Sequence, residues 1–254
     1  MLQLSTVSKF FYGLSALANV DLNVEEGKIK GLIGPNGAGK TTVFNVITGV
    51  FGPNKGTITF LDKDITRRKP EEIARLGISR TFQQPHLFKS LTVLENVMLG
   101  LHHRTQAEFF ACGLRFPRAR REERQILEQA LEYLNMLGLA DRRERLATKL
   151  PMGEQRYLEV ARALATKPKL LLLDEPTAGL NDQEADDFQE IIFKIRGMGI
   201  TLLIIEHHMK FINGVCDAIA VLNFGQKIAE GTPKEIRNNP EVIKAYLGAE
   251  EEID

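Results

Sequence analysis

The sequence predicts an α/β fold built on a mainly parallel sheet, and three observations predict it. Apolar runs of strand length, "KIKGLIG" at 28–34, "LLLL" at 170–173 and "ITLLII" at 200–205, are each followed by a segment of helical period. A glycine-rich turn, "GPNGAGKTT" at 34–42, joins the first run to its helix. Between Leu91 and Lys149 no convincing strand occurs, so a charged helical stretch, interrupted by Gly113 and Pro117, is inserted between strands of the sheet.

Residues 2–7 and 17–24 alternate well enough to read as strands. The strand at 28–34 runs into the glycine loop, and the helix after it spans Lys40 to Thr48 and stops at Gly49. A strand at 56–61 follows the Pro53-Asn54 turn, then a short helix at 71–76 and a strand at 77–82. After the helical middle come strand 169–173, helix 183–196, strand 200–205, helix 208–214 and strands 217–222 and 226–230. Two short helices near 233–238 and 241–247 are split by Pro240, and the acidic end "EEEID" reads as frayed.

The 254 residues suffice for one large domain or two small ones. Thirty-three basic and thirty-three acidic residues cancel, which gives no general pull toward nucleic acid or an anionic membrane. Cys112 and Cys216 are no disulfide framework; they read as packed small hydrophobes in a reducing cytosol. No apolar run approaches the roughly 20 residues that span a bilayer, and the first residues do not read as a signal peptide. A membrane role is therefore expected only through a partner.

The stretch "GPNGAGKTT" fits G-x-x-x-x-G-K-[ST] at every fixed position. Glycines let backbone N–H groups turn inward around a phosphate, and the helix that starts there offers its positive end. Gly34, Pro35, Asn36, Gly37, Ala38 and Gly39 are the expected cradle for the phosphates of ATP. Lys40 is expected to reach the terminal phosphates and the Thr41 hydroxyl to ligate Mg²⁺, while Thr42 fixes the first helical turn. In "LLLLDEP", 170–176, a buried strand ends in two carboxylates. Asp174 is placed to hold Mg²⁺ through its water shell and Glu175 to polarise an attacking water.

Four further segments narrow the reading. Gln83 in "TFQQP", the run "LPMGEQRYLEVARAL" at 150–164, "TAGLN" at 177–181 and His207 in "IIEHHM" resemble the Q-loop, signature, D-loop and switch histidine of ABC transporter ATP-binding subunits, over essentially the whole chain. The resemblance implies a P-loop NTPase core of mainly parallel sheet at 1–85 and 165–254, an antiparallel β subdomain, and an inserted helical subdomain at 86–164. It implies that two such subunits, identical or paralogous, stack head to tail on two membrane permease subunits at the cytoplasmic face, served indirectly by a substrate-binding protein and without nucleic acid. Each ATP then lies between one subunit's P-loop and Gly153 of the other's signature. Gln83 is implied as a metal ligand and γ-phosphate sensor, and His207 as the group that holds the water and the γ-phosphate. An aromatic near the start stacks on adenine in this family, with Phe11 the best alignment and Tyr12 the close alternative. "RTFQQPHLFKSLTVLENVMLG", "AGLN" and "NNPEVIKAYLG" look like the branched-chain amino acid uptake subfamily; urea or amide cargo, or a soluble ABC ATPase, are the alternatives.

The signature departs from the usual Leu-Ser-Gly-Gly-Gln, since Pro151 replaces the serine and Glu154 stands near the triphosphate. The lost hydroxyl costs about 1.5–3 kcal/mol at a charged acceptor if nothing compensates. The Gly153 N–H and the helix end remain, and Glu154 is expected to turn toward Arg156 or solvent. Asn181 replaces the common Asp of the D-loop, and His208 follows His207 without a metal-binding arrangement. His86 falls in the region that meets the membrane subunit. The basic stretch at 101–124 reads as a solvated helical face, with contact to the membrane partner as the alternative.

Overall fold

Four leucines in a row can be buried on both faces only inside a sheet that is covered on both sides, and the computed structural model places them there. It describes residues 1–102 and 117–247. Strands β3 (Ile29–Ile33), β7 (Leu170–Asp174) and β8 (Thr201–Ile205) are buried at every position. With β6 (Ile78–Arg80), β9 (Ala218–Asn223) and β10 (Gln226–Gly231) they form a six-stranded sheet of order β10-β9-β3-β8-β7-β6. Every neighbour pair is parallel except β9 with β10.

A second sheet is antiparallel, of order β2-β1-β4-β5, made by β1 (Leu2–Phe11), β2 (Leu14–Val24), β4 (Lys55–Phe60) and β5 (Lys63–Asp64). β1 runs past the expected end at residue 7 because bulges after Leu4 and Val7 break its alternation without ending its pairing. Its hairpin closes on Tyr12 and Gly13, both at positive φ, 47° and 90°, the turn that suits the strands' twist. β5 was not expected: two exposed charged residues carry no pattern, and the strand exists because Leu61 and Asp62 make the same kind of turn at φ 49° and 60°. Side chains of both sheets and of α1 (Lys40–Ile47) share one core in which Phe44, Phe60, Leu2 and Ile47 are fully buried.

The chain divides into two compact units, Met1–Arg80 with Lys169–Asp254, and Thr81–Pro168. The divisions fall a few residues from the 85/86 and 164/165 positions expected from sequence. The first unit also holds α2 (Pro70–Leu76), α6 (Asp182–Gly197), α7 (Met209–Val215), α8 (Pro233–Arg237) and α9 (Pro240–Leu247). The second holds α3 (Val93–His102), α4 (Pro117–Met136) and α5 (Met152–Ala165). Gly100 lets α3 and α5 close up: a Cβ there would lie 2.5 Å from the Arg162 carbonyl oxygen. The buried Asn96 amide ties down the preceding loop through the Phe88 N–H at 2.9 Å and the Phe88 and Thr92 carbonyls.

Cys216 is buried against Gly31, and burial pushes its thiol up to about 12, so it packs as a small hydrophobe. The expectations for Cys112 and for much of the basic stretch, including His103, Arg104, Glu108 and Arg115, fall outside the described residues. Arg121, Glu123 and Arg124 on α4 are exposed. Among the described residues no helix is long and apolar enough to cross a membrane.

Candidate nucleotide site

The strand order alone assembles the site. β8 lies between β3 and β7, all three parallel, so their carboxyl ends open on one edge of the sheet. β3 delivers the glycine loop there, β7 ends on Asp174, and β8 leads to His207.

Gly34, Gly37 and Gly39 have φ of 151°, 77° and 99°. A Cβ on Gly34 would lie 2.1 Å from the Leu222 carbonyl oxygen of β9, and one on Gly39 2.7 Å from that of Ala16 on β2, so the loop is seated on two strands. Gly37 has open space where a Cβ would stand, and only its backbone angle requires glycine there. Gly39 opens α1 with no side-chain cap and no acid in the first turn, which leaves the helix end for an anion. Asn36 is exposed, Pro35 half-buried and Ala38 buried beneath. Lys40 folds back, donating from Nζ to the Gly34 and Pro35 carbonyls at 2.6 and 2.8 Å. Burial pushes its ammonium below the usual lysine range, while Glu175 and Asp174 pull it back up. Thr41 is exposed at the first turn and Thr42 half-buried.

Asp174 is buried, which raises its carboxyl above the usual range, opposed by Arg80 at 2.7 Å. Glu175 follows at φ 47°, an angle rare for a residue with a side chain, fixed by its N–H to the Ile205 carbonyl at 2.9 Å. The His207 Nδ1 stands 3.9 Å from Glu175 Oε1. Sequence reasoning missed Glu206. Its fully buried carboxylate accepts the Thr177 N–H and hydroxyl through Oε1, and the His207 and His208 N–H groups at 2.9 and 3.2 Å through Oε2. One side chain thus ties the segment after Glu175 to His207. Asn181 has a local role: it caps α6, exchanging hydrogen bonds of 2.9 Å with Glu184.

Gln83 and Gly153 belong to the second unit. Gln83 is exposed, and the loop around it is fastened to α5 by the buried Glu159, which accepts the His86 N–H at 3.1 Å. Burial raises the Glu159 carboxyl, with the His86 and Phe82 backbone and Arg162 opposing. Pro151 is the N-cap of α5, whose first intrahelical bond runs from Gln155 N–H to the Pro151 carbonyl at 3.0 Å. The N–H groups of Met152, Gly153 and Glu154 therefore have no acceptor inside the helix. Glu154, expected to turn toward Arg156 or solvent, pairs instead with Arg142, whose Nε lies 3.3 Å from Oε2. Residues two apart on a helix do not face each other, which removes Arg156.

That pair makes a first prediction. If Arg142 cancels the Glu154 charge beside a bound triphosphate, Arg142→Ala should raise the KM for ATP and lower kcat/KM about thirtyfold. Two unit charges about 8 Å apart at an effective dielectric of about 20 interact by about 2 kcal/mol. Adding Glu154→Gln should restore activity. A double mutant as slow as Arg142→Ala would show that the charge is not what Arg142 controls.

Phe11 ends β1 with its ring edge-on to Phe51, centroids 5.1 Å apart, and with Lys9 Nζ 5.1 Å from its centroid. Tyr12, in the turn itself, is fully exposed. A hydroxyl from Thr41 and a carboxylate from Asp174, completed by phosphate and water, are the donor set of a Mg²⁺ site. Thr41 lies in the first turn of α1 and Asp174 ends β7, and both offer the hard oxygen donors that Mg²⁺ takes.

A glycine loop opening a helix, beside a buried strand that ends in two carboxylates, defines a nucleotide-binding ATPase of the P-loop class. Residues 17–178 match the ABC transporter family model, and the chain belongs to that family. Residues 226–252 match the model described as branched-chain amino acid ATP-binding cassette transporter. The chain is 46% identical over 239 residues to the high-affinity branched-chain amino acid transport ATP-binding protein LivG of Salmonella typhimurium, covering 94% of each. It is 44% identical over 249 residues to BraF of Pseudomonas aeruginosa, which carries the same description, covering 98% of each. A nucleotide-free ATP-binding cassette from an ABC transporter superposes with a TM-score of 0.84 at 35% identity, over 97% of this chain and 98% of that one.

Proposed function

We propose that this protein is the ATP-hydrolysing subunit of an importer for branched-chain amino acids, docked on membrane permease subunits at the cytoplasmic face. The observation that carries the reading is the match of residues 226–252 to the branched-chain amino acid cassette model, outside the segment shared with ABC transporters at large. The full-length likeness to LivG and BraF supports it.

ATP enters with its adenine against Phe11 and its phosphates in the loop Gly34–Gly39. Lys40 gives up the Gly34 and Pro35 carbonyls for the terminal phosphates. Thr41 and Asp174, with Gln83 as the family resemblance implies, would hold Mg²⁺, which would supply charge neutralisation to the phosphates. Glu175 accepts the proton of the attacking water, and His207 holds that water and the γ-phosphate. Gly153 of a second subunit, the same chain or a paralogue, closes over the γ-phosphate with its N–H. Gln83 follows the γ-phosphate and passes its state to the helical unit.

The test is uptake. The chain, purified with its membrane subunits and binding protein and placed in proteoliposomes, should take up radiolabelled leucine, isoleucine or valine only with internal ATP. Urea or amide uptake in their place would refute the cargo, and transport without ATP would refute the role.

A further inference from the structure

Arg80 is the last residue of β6 and the first of the run "RTFQQPHLFKSLTVLENVMLG", and none of the nucleotide-binding motifs gives it a part. Its side chain is 7% exposed and that of Asp174 5% exposed. Nη2 donates to Asp174 Oδ2 at 2.7 Å and Nη1 to Asn45 Oδ1 at 2.6 Å, while the guanidinium carbon lies 5.3 Å from the Phe44 ring centroid. Asn45 and Phe44 are on α1, the helix that begins with Lys40 and Thr41. One planar cation therefore ties the aspartate that ends β7 to the helix that carries Thr41.

We propose that Arg80 is a positioning residue for the metal: it fixes the Asp174 carboxylate against α1 so that Asp174 and the Thr41 hydroxyl meet the cation at a set spacing. The inference rests on the reading of Asp174 as the Mg²⁺-holding carboxylate. Three features favour an orienting role over a stand-in cation that leaves when the metal arrives. The guanidinium is anchored at its other end by Asn45. It lies over an aromatic ring of the same helix. It is buried, so leaving Asp174 would strand a charge away from water. A carboxylate ligand fixed by an outer hydrogen bond binds metal better, and losing such a partner typically costs ten- to a hundredfold in metal affinity. Asn45 belongs to the same device, since its side chain fixes the plane in which Arg80 presents Nη2.

The experiment measures the affinity of the full chain for a non-hydrolysable ATP analogue, with Mn²⁺ and with EDTA. The ratio of the two reports metal binding without turnover. Arg80→Met keeps the length and the contact with Phe44. It should reduce the Mn²⁺ enhancement by about ten- to a hundredfold while leaving affinity in EDTA within about twofold. Asn45→Ala, which leaves both charges in place, should reduce it less, and its Mn²⁺ electron paramagnetic resonance signal should broaden. Asp174→Asn is the reference. If Asp174→Asn lowers the Mn²⁺ enhancement and Arg80→Met does not, the orienting role is wrong and the metal reading stands. If Asp174→Asn leaves the enhancement unchanged, the metal reading falls and this inference with it. Equal losses in Mn²⁺ and EDTA would make Arg80 a structural ion pair only. Should Arg80→Met fail to fold, an unchanged enhancement in Asn45→Ala overturns the proposal.

Discussion

Glu175→Gln should leave ATP binding intact and lower turnover about a hundredfold or more. The amide keeps the shape of the carboxylate but cannot take a proton from water. Little else should change, because the backbone at this position is fixed independently of the side chain, by the Glu175 N–H to Ile205 at 2.9 Å and the Ala178 N–H to the Glu175 carbonyl at 3.2 Å. A non-glycine residue at φ 47° costs on the order of 1–3 kcal/mol, and the chain keeps it where the strand must end and the carboxylate must turn toward His207. Steady-state ATPase of the purified complex gives the rate, and size-exclusion chromatography with ATP shows whether the variant accumulates as a closed dimer. Hydrolysis near the wild-type rate would remove Glu175 as the base.

What the sequence made legible follows from the range of the forces. The glycine loop, α1 and the apolar strands are local: each is written in consecutive residues, so Gly34, Gly37 and Gly39 have the backbone angles their motif demands. The edge shared by the glycine loop and Asp174 was also legible, because parallel strands bring their carboxyl ends together whatever the loops do. Arg80, Glu206 and Arg142 were not. Arg80 lies 94 positions from Asp174 and Glu206 lies 29 from Thr177, and no periodicity links such pairs. Arg142 was closer, 12 positions from Glu154, but the short turns between them set which arginine arrives. Asn181, noted only as replacing the common Asp, has a signal that sequence does carry: Glu184 three residues on makes a capping box.

The largest effect of all is expected from Gly153→Asp, which should abolish ATPase in the assembled transporter while nucleotide binding to the isolated subunit survives. In α5, the N–H groups of Met152, Gly153 and Glu154 come before the first intrahelical bond, that of Gln155, so this end is built to meet an anion. An aspartate at Gly153 puts a Cβ and a second carboxylate where the partner's γ-phosphate is expected to approach, and Arg142, already paired with Glu154, cannot neutralise both. Binding to the monomer survives because the P-loop belongs to the other compact unit. Restoring the missing hydroxyl is the contrast. Pro151 caps α5 without any side-chain hydrogen bond, so Pro151→Ser adds a hydroxyl, besides its own N–H, to a grip that on this reading the helix end makes. One hydrogen bond of roughly 1.4 kcal/mol net caps the gain at about tenfold. Steady-state ATPase of the complex, with nucleotide titration of the monomer, separates the outcomes. A thousandfold gain from Pro151→Ser would mean that the hydroxyl, not the helix end, grips phosphate in this family's site. Normal turnover by Gly153→Asp would mean that residues 150–156 never touch phosphate.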